Sequence, residues 1–257
     1  MDVAGVVDAF RNEARTLHWS GEELESLPFV TRRCGTAGDY SYVTAFALTT
    51  ENADAEIQEQ ISHFRELGRS FEWKTFSFDE PSNLVERLKA AGFEVEDLES
   101  LVMYDLADGL EPFQFPAGIE VKRVQNEGEL TDFRSVAEEV FAKDYSFTTN
   151  QLAEAIASGT RGHDAYVAYV SGEPVSIGRL YTSPNSAFAG FYGGGTREAF
   201  HGQGIYRAIV AARAHEALAL GARYLQVDAL PTSLPILKRL GFTHIADTIP
   251  CVWSPPK

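Results

Sequence analysis

Hydrophobic residues recur along this chain at two spacings, and the spacing separates predicted helices from predicted strands. In segment 53–67 they recur every three or four residues until Gly68, which predicts a helix that ends at the glycine. Alternating hydrophobic and polar residues predict strands instead. The other elements predicted in the first half are helices over 3–17 and 84–92, a helix start at Ser20-Gly-Glu-Glu23, and strands over 40–48, 73–78 and 101–106.

The second half continues with a longer succession of elements. Pro112 and Pro116 bracket a phenylalanine-rich irregular stretch, so the sequence predicts two domains, 1–112 and 117–257. Strands and helices mix along both, which predicts an α/β (α+β) fold class. The elements predicted after the boundary are strand 119–124, helices 130–141 and 149–157, strands 165–171, 174–182 and 187–195, helix 205–220, strand 223–228, helix 233–240 and strand 244–253.

The two halves repeat a short pattern in one register. The segment Phe76-Ser-Phe-Asp79 matches Leu225-Gln-Val-Asp228, and Leu88-Lys-Ala-Ala-Gly-Phe93 matches Leu237-Lys-Arg-Leu-Gly-Phe242. Each pair is separated by 149 residues. A shared register across a strand, a helix and a Gly-Phe turn predicts two copies of one βαβ unit.

Composition narrows the function classes. The 257-residue chain carries a net charge of −15, which disfavours nucleic acid and anionic membranes as partners and is compatible with a cationic amine. Its two cysteines form no zinc spacing, so no metal is predicted. The first residues lack the pattern of a signal peptide, and no apolar run is long enough to span a bilayer. The predicted location is the cytoplasm.

The most informative motif is His201-Gly-Gln-Gly-Ile-Tyr206, which directly precedes a predicted helix. Glycines at a helix start expose backbone N–H groups at the positive end of the helix dipole. Such groups bind phosphate, so the sequence predicts a cofactor-phosphate site there.

Residues 119–257 resemble the GNAT superfamily of acetyl-CoA-dependent N-acetyltransferases. The resemblance rests on this loop, which aligns with the family pattern Gln/Arg-x-x-Gly-x-Gly/Ala at Gly204, and on the strand–helix–Gly-Phe–strand unit from Tyr224 to Trp253. It implies tandem GNAT-like domains, each a mixed, mostly antiparallel twisted sheet flanked by helices. It further implies acetyl transfer from acetyl-CoA to a small-molecule amine, directly in a ternary complex.

The resemblance also assigns site residues. A glycine-rich strand end is expected to pair with pantetheine, and an amide near Gly194 is expected to polarise the thioester carbonyl. The predicted cofactor-binding residues are Gly194, Gly195, Thr196, His201, Gly202, Gln203, Gly204, Ile205, Tyr206 and Arg207.

The motif departs from the family at His201 and Tyr206, which replace Gln or Arg and a small residue. His201 is either a donor to phosphate or a solvated loop residue. Tyr206 either packs beside the phosphates, closes over the acceptor channel or is a helix-start aromatic. Leu237 stands where many family members carry the tyrosine that protonates the CoA thiolate. Ser233, Tyr192 and Tyr206 are possible substitutes.

Asp228 is the predicted base for the acceptor amine, with a capping or turn role as the alternative. Asp144, Tyr145 and Phe147 are the predicted acceptor wall, because an acidic residue among aromatics suits an amine. A plain turn between two helices is the alternative. In the first half, Thr49-Thr-Glu-Asn52 aligns with the glycine loop and lacks its glycines. That domain is therefore predicted to be a degenerate copy without a cofactor loop.

Two other function classes stay open. One is a non-catalytic acyl-CoA-binding or sensing protein, motivated by Leu237 and the degenerate first half. The other is acetylation of a protein N-terminus or lysine. The protein is expected to be a monomer or a homodimer.

Overall fold

The computed structural model describes residues 1–14, 23–35, 41–184 and 186–256. Most predicted elements are confirmed to within a few residues. The helices are α1 (Val3–Ala14), α2 (Ala53–Glu66), α3 (Leu84–Ala90), α4 (Glu127–Phe141), α5 (Ser146–Ser158), α6 (Ile205–Ala219) and α7 (Leu234–Arg239). The strands are β1 (Glu23–Ser26), β2 (Val30–Cys34), β3 (Tyr42–Phe46), β4 (Phe71–Phe76), β5 (Glu94–Val95), β6 (Glu99–Asp105), β7 (Glu120–Arg123), β8 (His163–Val170), β9 (Glu173–Thr182), β10 (Phe188–Thr196), β11 (Tyr224–Ala229) and β12 (Thr243–Trp253).

The main error in the first half concerns β1 and β2. The helix start predicted at Ser20–Glu23 is wrong at Glu23, where β1 begins. The other residues of that predicted start lie outside the described ranges, and so does the end of the predicted helix 3–17. All five residues of β2 are buried although they include two arginines. Pairing with neighbouring strands buries these polar residues. The alternation of hydrophobic and polar residues therefore did not indicate a strand here.

The chain divides into two compact units. Unit 1 comprises residues 1–101, 229–232 and the segment from His244 onward, and unit 2 comprises Val102–Asp228 and Ser233–Thr243. Both units are discontinuous along the chain, because the segment from His244 onward packs with residues of the first half, and the domain bounds 1–112 and 117–257 stay a prediction. None of the helices in the described ranges combines the length and apolar character needed to cross a membrane.

Unit 1 has a mixed sheet in the order β1-β2-β3-β4-β12, with β5 on β12. Its pairs are antiparallel except for β3 and β4, which are parallel. Helix α2 buries Ile57, Ile61 and Phe64 in a core that includes Trp73, in agreement with the helical spacing. The Phe64 ring stacks on Phe71 with centroids 4.3 Å apart.

Unit 2 repeats this plan in the order β7-β8-β9-β10-β11-β6. β7 to β10 form antiparallel pairs, and β10 and β11 are parallel. Helices α4 and α5 cover one face with a core around Phe133, Val136 and Ile177. Gly178 lies on the other face, against Ile209 of α6. The predicted fold class, with a mixed and mostly antiparallel sheet in each copy, is confirmed.

Each unit takes its last strand from the other half of the sequence. β12 pairs with β4 in unit 1, and β6 lies beside β11 in unit 2. Glycines 92 and 241, which end the helices before these strands, share positive φ values of 96° and 91°. The predicted repeat thus describes the order of equivalent elements along the chain. Its final strands, β6 and β12, each lie beside a strand of the other copy.

One detail of the repeat is wrong. Asp79 follows β4 in a turn, whereas Asp228 lies inside β11, so the two aspartates are not structural equivalents. Asp79 accepts a hydrogen bond from the Phe76 backbone N–H at 2.7 Å. Burial raises the pKa of Asp79 to about 6, against smaller lowering effects from that hydrogen bond and from Arg11.

The raised pKa of Asp79 predicts that the free energy of unfolding depends on pH. Because its folded-state pKa lies above the unfolded value, the protonated group stabilises the fold below about pH 4, and this contribution is lost as pH rises through about 6. Replacing Asp79 by asparagine should reduce the change in unfolding free energy between low and neutral pH by up to about 3 kcal/mol. Denaturant unfolding at about pH 4.5 and about pH 7.5 measures it, with exposed Glu80→Gln as the charge-matched control. Parallel pH profiles for Asp79→Asn and the unsubstituted protein would contradict the expectation.

Candidate functional site

A fork between two parallel strands of unit 2 is the first feature of the candidate site. The paired residues of β10 and β11 are Phe188↔Tyr224, Ala189↔Leu225 and Gly190↔Gln226. β10 continues to Thr196 without further described pairing to β11. It also carries a bulge against β9 between Tyr192 and Gly195. The two strands therefore stop pairing in register after Gly190, and such a fork is where another extended chain can enter a sheet.

Strand geometry places Tyr192 and Asp228 on one face of this fork. Gly190 and Gln226 are opposite each other, so they share a face. The residue two positions further along a strand returns to the same face. Tyr192 and Asp228 are those residues, one on each arm of the fork. Both residues are predicted from the sequence as catalytic, but only the strand register brings them together.

Three further polar side chains extend this face and were missed in the sequence analysis. Arg179 lies opposite Tyr192, Tyr181 lies opposite Gly190, and His163 lies opposite Tyr181. The Tyr181 ring meets Tyr192 edge-on at 5.2 Å and His163 at 4.1 Å. Its hydroxyl accepts a hydrogen bond from Arg179 Nη1 at 2.7 Å. The alternation of Arg179 and Tyr181 was visible in the sequence, but their relation to Tyr192 required the strand pairing.

The cluster is polar and partly open. Tyr192 is 40% exposed, and Asp228 is half-buried. Burial, assisted by the Arg179 charge, lowers the pKa of His163 to about 4. His163 is therefore neutral near pH 7 and adds no second cation to this face.

The start of α6 is the second feature. Gly202 and Gly204 have φ values of +76° and +81°, in the left-handed region that favours glycine. A Cβ at Gly202 would meet nothing within 4 Å, and one at Gly204 only Pro116 at 3.7 Å. No side chain caps the helix at Gly204. The N-cap residue thus supplies no side-chain acceptor to the N–H groups of the first turn, in keeping with the predicted phosphate site.

His201 fastens this loop to the end of β10. Its Nε2 lies 2.8 Å from the carbonyl oxygen of Thr196, and a carbonyl only accepts, so Nε2 carries the proton. With Nε2 engaged by the carbonyl oxygen, only Nδ1 remains for a second partner. This geometry favours a loop-closing role over the predicted phosphate donor.

The remaining loop residues divide by exposure. Gln203 donates weakly to the Ala199 carbonyl oxygen at 3.4 Å, and Arg207 is exposed. Ile205 is 1% exposed and anchors the helix start in the core. The Ile205 side chain is therefore not accessible to a ligand, whereas the exposed Gln203 side chain is.

Tyr206 packs against β10 at the fork. A Cβ at Gly194 would lie 3.0 Å from Cε2 of Tyr206, so the ring has room because position 194 is a glycine. Further along α6, Arg213 is 1% exposed and donates to the carbonyl oxygens of Ile209 and Arg179 at 3.2 Å. Burial lowers the pKa of Arg213, and the neighbouring Tyr206 hydroxyl partly offsets this. The tyrosine that departs from the family pattern thus belongs to a matched set with Gly194 and Arg213.

The predicted acceptor residues lie where α4 meets α5, next to β10. A Cβ at Gly195 would come within 2.6 Å of Val140 and 3.1 Å of Phe141, so the end of α4 touches the forked strand. Tyr145 is only 6% exposed and packs on Phe133 and Phe141, with ring centroids 6.4 and 5.5 Å away. Tyr145 is a core residue that supports this wall from behind.

Asp144 makes local contacts at the start of α5. Its Oδ1 accepts hydrogen bonds from the N–H and hydroxyl of Ser146 at 2.9 and 2.5 Å. Ser146, with a smaller effect of Arg134, lowers the pKa of Asp144, and its side chain is 74% exposed. These contacts fit the turn that was the alternative to an acceptor role. Phe147 is half-buried and stays a candidate wall residue.

Helix α7 carries the departure at the family's tyrosine position. Leu237 is fully buried and apolar. Ser233 is the N-cap residue of α7, and its side chain makes no capping hydrogen bond. A hydroxyl is therefore present one turn before Leu237.

The corresponding helix start in unit 1 is built differently. β3 has five residues where β10 has nine. Asn52 is the N-cap residue of α2, and its side chain makes no capping hydrogen bond; its Oδ1 instead accepts the Thr49 backbone N–H at 2.7 Å. Glu51 is exposed, and the Thr49 hydroxyl lowers the pKa of its carboxyl. A carboxylate and short side chains thus occupy the place of the open glycine loop.

No family model matches the sequence, and no curated protein is similar to it. Among solved structures, a GCN5-related N-acetyltransferase from Kribbella flavida is similar with a TM-score of 0.72 at 16% identity, covering 100% of this chain and 96% of that chain. A tandem GNAT protein from the clavulanic acid biosynthesis pathway is similar with a TM-score of 0.60 at 14% identity, covering 99% and 95%. A GCN5-related N-acetyltransferase from Sphaerobacter thermophilus gives 0.59 at 11%, covering 98% and 91%. The chain has the GNAT fold along its whole length.

Proposed function

We propose that this chain is a tandem GNAT-superfamily enzyme that transfers an acetyl group from acetyl-CoA to the amine of a small molecule. The observation that carries the proposal is the pairing of an open strand fork with an uncapped, glycine-started helix at the end of the same strand. One feature offers a place where two parallel strands diverge, and the other offers N–H donors for phosphate. The similar folds of named acetyltransferases support the reading.

The cofactor site in this proposal is formed by unit 2. Backbone N–H groups at Gly202, Gly204 and the first turn of α6 hold the pyrophosphate, and the backbone from Gly193 to Thr196 pairs with pantetheine. The open space at Gly202 fits this use, because nothing near it blocks a ligand. Acetyl-CoA supplies the activated acetyl thioester. The Gly194 N–H donates to the thioester carbonyl and stabilises the charge that develops on its oxygen.

The acceptor is activated on the face shared by Tyr192 and Asp228. A protonated amine has no lone pair, so Asp228 accepts a proton from it, directly or through water. The Tyr192 hydroxyl is the first candidate for protonating the leaving sulfur, because it lies across the fork from Asp228. Ser233 at the start of α7 is the second. Transfer is direct, since neither Cys34 nor Cys251 belongs to this site.

The substrate class follows from the chemistry of the same face. Tyr192 and Tyr181 present aromatic rings, and Asp228 adds a carboxylate, a combination that attracts an alkylammonium ion. Phe147 and the end of α4 provide the apolar side of the acceptor site. The neighbouring Arg179 disfavours an acceptor with a second positive charge and suits one with a carboxylate or hydroxyl near the amine.

A second candidate is a non-catalytic acyl-CoA-binding protein, which the fully buried Leu237 favours. An assay of thiol release from acetyl-CoA with a panel of amines and amino-acid-like acceptors separates the two. The enzyme reading predicts acceptor-dependent CoA release and an acetylated product by mass spectrometry. Tight acetyl-CoA binding with no product from any acceptor would favour the binding protein.

A further inference from the structure

A group of three potential metal ligands lies in unit 1, apart from the candidate site. Glu25 comes from β1, Cys34 from β2 and His63 from α2. One ligand atom of each lies within 4.8 Å of the other two. Among the described residues, this is the group of His, Cys and acidic side chains whose ligand atoms lie this close together.

The strand register explains how the group forms. β1 and β2 are antiparallel, with Glu25 opposite Arg32, and Cys34 lies two residues beyond Arg32 on the same face. Helix α2 brings His63 onto that face. The Cys34 Sγ and His63 Nε2 atoms are 3.6 Å apart. With Zn–S and Zn–N bonds of ordinary length, two ligands of a tetrahedral zinc ion are about 3.5 Å apart, so the observed separation already fits.

The carboxylate is held by its neighbours. Arg32 donates to Glu25 Oε2 from Nε at 2.8 Å and from Nη2 at 2.5 Å. Its Nη1 donates to Oε1 of Gln60, which is fully buried. Both bonds to Glu25 end on one oxygen, so the other oxygen keeps its lone pairs for a cation. Such second contacts are what orient a ligating carboxylate in metal sites.

We propose that Glu25, Cys34 and His63 form a binding site for a zinc-class divalent cation. Thiolate and imidazole together select a borderline-soft metal such as Zn²⁺ over Mg²⁺ or Ca²⁺. Binding replaces the Cys34 thiol proton, which is released to solvent, by a bond from sulfur to the metal. Three protein ligands leave a fourth position for water. Because Glu25 and His63 are partly exposed, the ion reaches the site without unfolding.

The test is a titration of the untagged, reduced protein with Co²⁺, a spectroscopic substitute for Zn²⁺. A 1:1 complex with a thiolate-to-Co²⁺ charge-transfer band, bleached by Zn²⁺, is expected. Cys34→Ser should abolish the band, and His63→Gln should weaken binding at least about tenfold. Cys251→Ser is the matched control and should keep both band and affinity, since Cys251 is the other free cysteine and lies outside the group.

A second readout protects the test against a misfolded serine variant. Zn²⁺ should raise the thermal unfolding midpoint of the native protein, a chelator should reverse the rise, and His63→Gln should reduce it at the same Zn²⁺ concentration. His63 is on a helix surface and partly exposed, so its replacement leaves the core intact. Absence of a 1:1 complex, a band that survives Cys34→Ser, or native affinity in His63→Gln would overturn the proposal.

Discussion

Gly204→Glu is expected to abolish measurable binding of acetyl-CoA while the fold is retained. The substitution places a carboxylate beside the first-turn N–H groups of α6, where it accepts their hydrogen bonds and repels the pyrophosphate. A loss of about 3 kcal/mol corresponds to at least about 100-fold in dissociation constant. The side chain has room, because a Cβ there meets only Pro116 at 3.7 Å.

The matched control for this substitution is Gly221→Glu, just beyond the other end of α6. Gly221 has a φ of +87°, close to the +81° of Gly204, and equally open space. Both variants therefore introduce the same charge and a similar backbone strain. Calorimetric titration should show native affinity for Gly221→Glu. Affinity within about threefold of native for Gly204→Glu would refute the phosphate-site assignment.

Asp228→Asn is expected to lower kcat about 100-fold, with the acetyl-CoA dissociation constant unchanged. The reason is the loss of a proton acceptor on the face shared with Tyr192, a role that contributes two or more orders of magnitude. Asparagine has nearly the same shape, and Asp228 lies inside β11, so the substitution removes the proton acceptor without changing the volume of the side chain. Steady-state kinetics with the best acceptor of the amine panel provide the measurement.

Asp79→Asn serves as the control for this kinetic test. It removes the aspartate that the sequence repeat had paired with Asp228 and that lies in a turn of unit 1. Its kcat should equal that of the native enzyme. If Asp228→Asn retains full kcat, Asp228 is a structural residue, and the base must be sought elsewhere on the same face.

The glycine loop and α6 could be predicted because their signals are local. Two glycines with positive φ and a long apolar helix are properties of neighbouring residues. The same holds for the hydrophobic spacing of α2. In contrast, β2 was missed, because its arginines are buried through partners on another strand.

The composition of the site depends on register, which a single sequence does not reveal. Tyr192 and Asp228 were predicted separately, and only the pairing of Gly190 with Gln226 places them on one face. Arg179 and Tyr181 join them through the register of β9. Tyr145 was predicted at the acceptor wall, but its aromatic contacts hold it in the core. The sequence alone does not show which of these tyrosines faces the site and which packs in the core.

The exchange of the final strands, β6 and β12, could not be predicted from the sequence either. β6 and β12 follow equivalent helices, and either could complete either sheet as far as local pattern is concerned. The domain bounds 1–112 and 117–257, the cytoplasmic location and the monomer or homodimer remain predictions. The degenerate role of the first domain is a proposal that the carboxylate of Glu51 and the short β3 support.

Calorimetric titration of the purified protein with acetyl-CoA tests the central claim most directly. The account predicts one site per chain, lost in Gly204→Glu and unchanged in Glu51→Gln. Two sites per chain would contradict the assignment of a single working cofactor domain. No binding at all would contradict the proposal that the fork and the uncapped helix of unit 2 hold acetyl-CoA.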